Sequence, residues 1–134
     1  NNNYRLDTQN WPLLGDFWTI LLSGQNYNQP FGVEKFQWDN TSKSLKSAWS
    51  NDISCPNGIP TMSSASNLAY CIGARDNAWT LEAMDWDTGE TVFHRQLGQG
   101  PKFNSTYAAA QVGEAADIVS GSFTGVLRIR EKSR

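Results

Sequence analysis

Laid over itself with an offset of 48, the chain matches without a gap for seventeen residues: VEKFQWDNTSKSLKSAW falls on LEAMDWDTGETVFHRQL. Val33 meets Leu81, Glu34 meets Glu82, Phe36 meets Met84 and Trp38-Asp39 meets Trp86-Asp87. Farther on, Leu45 meets Phe93 and Trp49 meets Leu97. Upstream, FWTILLSG takes the place of LAYCIGAR, and DIVSGSFTGVLRIRE repeats that pair of segments once more. A fixed period constrains a fold more than composition does, because each unit must stack on a neighbour to bury its faces.

Inside each period the punctuation is that of strands. No segment keeps apolar residues at i, i+3, i+4 and i+7 for three turns, so long amphipathic helices are excluded. Short runs rich in β-branched and aromatic residues recur about every ten residues between Gly, Asn and Ser. They predict strands over 17–23, 32–38, 45–50, 59–64, 68–72, 79–86, 91–97, 106–112, 117–122 and 125–130, with a weaker one over 10–14. Four short strands per period describe a β-propeller blade. The expected fold class is therefore all-β, a propeller of about three four-stranded antiparallel blades over 1–50, 51–98 and 99–134. The last blade lacks its outer strand. Asp87-Thr88-Gly89 turns the third strand of the second blade into the fourth, with Gly89 free to adopt positive φ.

The second unit carries a resemblance. Ala83, Asp85, Thr88, Gly89 and Phe93 fall in the spacing A-x-D-x-x-T-G-x-x-x-F, which resembles the repeat of quinoprotein-type (PQQ-repeat) propellers. Phenylalanine stands where that family has tryptophan, and the first unit has Lys35, Gln37, Asn40, Thr41 and Leu45 at the motif positions. The resemblance speaks for the fold and leaves function open, since such propellers serve as dehydrogenases, scaffolds and sensors. Three blades do not close a ring, which takes about four to eight. The chain is accordingly expected to be the C-terminal part of a longer propeller. The remainder would come from the same precursor or a second chain, and another segment would pair with the edge of 125–130.

Charge and composition narrow the partners. The net charge is -2 without basic or acidic runs, so neither a nucleic-acid groove nor a membrane surface is expected. The longest apolar run, 17–22, is strand-sized. Cys55 and Cys71 have no metal-type spacing, and a bridge and two buried thiols are both open. The compartment stays open as well, with secretion or a periplasm preferred.

Catalytic groups are scarce. His94 is the one histidine and falls in an outer strand, so a Ser-His-Asp or Cys-His machine within this chain is not expected. GQG at 98–100 lacks the third glycine and the helix of a dinucleotide loop. Asp85, Asp87 and Glu90 read as turn residues. Trp38, Trp49 and Trp86 occupy repeat positions and are expected to pack between blades.

In a four-strand meander, the loops joining second to third strand and one blade to the next lie at one end, the usual mouth of a propeller channel. That end gathers 25–29, 51–58, 75–78 and 98–106. Candidate ligand-binding residues there are Tyr27, Asn57, Arg75, Trp79, Lys102 and Phe103. CPNGIP (55–60) resembles the entry to an inner strand in gluconolactonase-like and strictosidine-synthase-like propellers, which implies Asn57 as a metal ligand, usually for calcium. Quinone sites in the first family often carry adjacent cysteines, which this chain lacks; no cofactor is expected, calcium being the one alternative. The leading expectation is a propeller scaffold with a small-molecule or partner site at the channel mouth. The alternative is a metal-assisted hydrolase or lyase whose site is shared with other blades.

Overall fold

Among the described residues, the runs of alternating or continuously apolar side chains become strands. The computed structural model describes residues 4–8, 32–55, 59–105, 108–114 and 117–130, with the backbone alone for 4–8. Three antiparallel sheets result. The first is β1 (Tyr4–Thr8), β2 (Val33–Asp39) and β3 (Ser44–Asn51), in that order. The second is the meander β4 (Thr61–Ser63), β5 (Leu68–Arg75), β6 (Ala78–Asp85) and β7 (Thr91–Gly98). The third orders β8 (Ala110–Val112), β9 (Ile118–Ser122) and β10 (Gly125–Ile129) side by side. The fold is all-β, and among the described residues the one helical element is a 3-10 turn at Pro101–Phe103. The strands expected over 10–14 and 17–23 lie outside the described residues.

The middle sheet is covered on both faces, so β5 and β6 read as nearly continuous apolar runs instead of alternating ones. Ala69, Cys71, Met84 and Trp86 face the first sheet and pack with Val33, Trp49, Ile53 and Cys55. The opposite side chains, Ile72 and Leu81, pack with Ala110 and Ile118 of the third sheet. Tyr70, Trp79, Phe93, Leu97 and Ile129 flank that second core. The two cores hold most of the fully buried apolar side chains, each worth roughly 1.5–3 kcal/mol of transfer free energy. Cys55 and Cys71 form a disulfide that ties the segment after β3 to β5. Neighbouring sheets also meet along an edge: Ile59, just before β4, makes a parallel bridge to Ala109, just before β8.

The repeat is visible in the ladders themselves. The β2–β3 register slips between Lys35 and Phe36, and the β6–β7 register slips between Ala83 and Met84, positions 48 apart. The partners correct the gapless alignment. Glu34 pairs with Ser50 and Lys35 with Trp49, while Glu82 pairs with His94 and Ala83 with Phe93. On the outer strand the offset is therefore 44, and Trp49 corresponds to Phe93, not Leu97. The β2–β3 hairpin is four residues longer. Four is an even number, so each side chain keeps its face and the apolar pattern conceals the insertion.

A second correction concerns the tryptophans. Trp49 and Trp86 are buried between the first two sheets, but Trp38 is 37% exposed on the outer face of the first sheet. A third is β1. Its segment has no strand in the sequence reading, yet it pairs along β2 from Thr8–Val33 to Tyr4–Gln37, where 17–23 was expected. The five-residue stretch YRLDT alternates apolar with polar residues, a weak signal over so short a length.

The hairpin turns are fixed by carboxylates. Asp85 accepts the backbone N–H groups of Asp87 and Thr88, each at 2.9 Å. Gly89 follows with φ 77, the positive value the turn needs. In the longer first hairpin Asp39 plays the same part, accepting Thr41 N–H at 2.8 Å and Ser42 N–H at 3.2 Å and pairing with Lys46. Among the described residues, β10 pairs with β9 alone.

Candidate functional site

The β5–β6 turn defines one end of the middle sheet. Asp76 and Asn77 both have positive φ, 50 and 58, as a two-residue type I′ hairpin requires. The turn brings Arg75 opposite Ala78 and Trp79 opposite Gly98, the last residue of β7. Gly98 has φ 136, and a β-carbon there would stand 2.6 Å from Phe103 Cε2. Only glycine lets the Phe103 ring lie so close to the strand end. The Pro101–Phe103 turn then carries Lys102, whose Nζ is 4.8 Å from the Phe103 ring centroid. Asn104 accepts the Phe123 N–H at 2.9 Å, which draws the β9–β10 turn to the same end. Ser54 accepts the Ala74 N–H at 3.0 Å and adds the segment after β3.

Arg75, Trp79, Lys102 and Phe103 thus share one end of the sheets, as the meander topology requires. Their roles differ. Arg75 Nε and a terminal nitrogen fork onto the two carboxylate oxygens of Glu82 at 2.9 and 2.8 Å, and its second contact is Thr91 Oγ1 at 3.4 Å. The Glu82 bond raises the guanidinium pKa further above its ordinary value. Trp79 is half-buried against the Ile72–Leu81 core. Lys102 is exposed and Phe103 half-buried. Tyr27 and Asn57 lie outside the described residues.

The ionic feature that sequence reasoning missed is Glu82. It is fully buried, and Thr80 donates its hydroxyl to the Arg75-facing oxygen at 2.5 Å. A carboxylate shut away from water needs such charged and hydroxyl donors to replace the hydrogen bonds it has lost. A small signal was present: Glu82 interrupts the apolar residues in the middle of the strand AWTLEAMD. Lys35 is another buried ion. Its Nζ donates to Trp86 O at 2.8 Å and lies 4.2 Å from the Trp86 ring centroid. Burial pushes its pKa down, opposed by the charges of Asp87 and Asp85.

His94 is exposed on β7. Among the described residues, no group of three or more His, Cys, Asp and Glu side chains is placed to hold a metal. No helix among them is long and apolar enough to cross a membrane.

An uncharacterized protein of Archaeoglobus fulgidus is 44% identical to the chain over 111 residues, which are 83% of this chain and 22% of that protein. The chain thus spans about a fifth of the length of the relative it matches. No family model matches the chain, and no solved structure matches it.

Proposed function

We propose that the three sheets are consecutive blades of a propeller-like array that resembles the quinoprotein repeat and acts as a binding scaffold. The observation that carries this reading is the matched slip in register at Lys35/Phe36 and Ala83/Met84. A bulge leaves a residue unpaired and bends its strand, so two bulges at one repeat position reflect one shared blade design. The face-to-face stacking and the parallel contact of Ile59 with Ala109 support it, because inner strands of neighbouring blades run parallel around an axis. In this reading further blades, from the same precursor or a second chain, cover the outer faces and pair with the edge of β10. The much greater length of the archaeal relative leaves room for such blades.

The binding site of this scaffold is the end that holds Trp79, Lys102 and Phe103. It offers an aromatic wall, an ammonium and turn amides, a set suited to a small polar ligand or an extended peptide. Arg75 shapes that end through Glu82 and is not counted as a ligand contact. Heteronuclear NMR with a panel of small sugars, sugar acids and nucleosides tests the reading. Shifts centred on Trp79, Lys102 and Phe103, lost in Phe103→Ala, are the expected result; shifts centred elsewhere, or none, reject it. Stabilisation by calcium that disappears in Asn57→Ala would favour the metal-assisted hydrolase instead.

A further inference from the structure

Two N-x-[S/T] sequons occur in the sequence, Asn40-Thr41-Ser42 and Asn104-Ser105-Thr106. Such a triplet can accept an N-linked oligosaccharide where its asparagine stands on a surface turn with room for a bulky group. The structure separates the two.

Asn40 lies at the tip of the β2–β3 hairpin, whose turn, 40–43, is exposed at every residue. Asp39 closes the turn on the Thr41 and Ser42 amides, and the Ser42 and Ser44 hydroxyls stand 2.8 Å apart. The Asn40 side chain is not needed to hold it. The tip also projects. Trp49 and Asn51 rest on the turn of the next sheet, at Trp86 and Gly89. Beyond the Lys35–Trp49 pair no residue of 36–48 is buried. From Lys35 to Asp39 the strand runs on for four residues, roughly 13 Å at the rise of a strand. The equivalent stretch of the middle sheet, Ala83 to Asp85, is two residues long. The four-residue insertion in the first hairpin thus lifts the sequon clear of the stacked sheets.

The tip points away from the candidate ligand site. In the middle sheet the 86–89 turn lies at the other end of β6 from the 76–77 turn, and the first hairpin continues past it. A glycan on Asn40 would leave Trp79, Lys102 and Phe103 uncovered. Asn104 has the opposite setting. It is half-buried, its N–H donates to Pro101 O at 3.1 Å, its carbonyl accepts the Phe123 N–H, and Ser105 beside it is 1% exposed. A glycan there would lie over the end that holds Phe103. The Cys55–Cys71 bridge agrees with N-glycosylation. Disulfides persist outside the reducing cytosol, intracellular proteins of hyperthermophiles being the exception.

We propose that Asn40, and not Asn104, carries an N-linked oligosaccharide. In the transfer Asn40 Nδ2 loses one proton and bonds to the anomeric carbon of the first sugar. The bond from that carbon to a phosphate oxygen of a polyprenyl-phosphate-linked donor breaks, and the phosphate leaves with the electron pair. Glycosylation at Asn40 and ligand binding at Phe103 concern opposite ends, so either can fail alone.

Mass spectrometry of the full-length protein, purified from the organism that makes it, is the test. Trypsin releases 36–43 (FQWDNTSK) and 103–128, each with one sequon. Peptide 36–43 should gain the mass of whole sugar residues and yield sugar fragment ions, while 103–128 keeps its bare mass. The gain should vanish in Asn40→Gln. It should vanish also in Ser42→Ala, which retains the asparagine and removes the hydroxyl of the sequon, and persist in Ser42→Thr. A bare 36–43, sugar on 103–128, or a gain that survives Ser42→Ala would each overturn the assignment.

Discussion

Trp49 donates its indole N–H to the main-chain oxygen of Trp86 at 2.9 Å. The same ring closes over the next hairpin, where a β-carbon on Gly89 would stand 2.5 Å from Cε3. Asn51, two residues on, donates to Gly89 O at 2.8 Å and accepts the Val33 and Ile53 N–H groups. The outer strand of one sheet is thereby fastened to the turn of the next. Trp49→Ala should cost about 3–5 kcal/mol, the range for truncating a buried large aromatic. Trp49→Phe keeps most of the packing and loses the hydrogen bond, at about 1 kcal/mol. Urea unfolding of the two variants measures the difference.

Gly89→Ala should destabilise by about 1–3 kcal/mol, because it combines an unfavourable positive φ with a clash against Trp49. Combined with Trp49→Ala, the loss should be smaller than the sum, since the clash has gone. A thermal-melt double-mutant cycle reads the coupling; strict additivity would show that the ring does not rest on the turn.

Glu82→Gln removes the charge and one of the two acceptor oxygens of the Arg75 fork while leaving the side chain buried. With Arg75 itself 36% exposed, the cost should fall near 2–4 kcal/mol, below that of a fully buried pair. Arg75→Gln in the same background should add little, because the ion pair is already lost. Chemical denaturation of the two single variants and the double variant checks this.

Reduction of Cys55–Cys71 frees a sixteen-residue separation. Loop-closure entropy predicts a loss of about 3 kcal/mol for a loop of this size. The segment after β3 should loosen first, and the Ala74 N–H, bonded to Ser54 O, should exchange faster with solvent. Hydrogen exchange with and without reductant, and on Cys55→Ser with Cys71→Ser, measures both effects.

Acid should weaken the hairpin turns. Lys46, with the Thr41 and Ser42 amides, holds the Asp39 carboxyl down to about 2. Asp85, bonded by Thr88 N–H, and Asp117, bonded by Arg128, are also lowered. A depressed folded pKa means stability that is complete above the unfolded value, about 3.9, and is lost as pH falls through the folded value. Stability should therefore decline below about pH 4 toward pH 2, and Asp39→Asn should flatten part of that decline. Melts across the acid range give the answer.

The sequence by itself determined the all-β class, the strand order of the middle meander and the positive φ of Gly89. Those features follow from local rules: alternation, turn chemistry and a motif whose residues are neighbours in the chain. It also put Arg75, Trp79, Lys102 and Phe103 at one end, because a meander fixes which loops lie together. Tertiary structure decided what was paired with what. The place of Trp49 opposite Lys35 depends on an even-numbered insertion that no face pattern can reveal. The burial of Glu82 and Lys35 depends on a neighbouring sheet that lowers the local dielectric and on donors brought from elsewhere in the chain. The different fates of Trp38 and Trp86 show the same division: both hold one place in the repeat, and only the sheet stacked against them separates an exposed ring from a buried one.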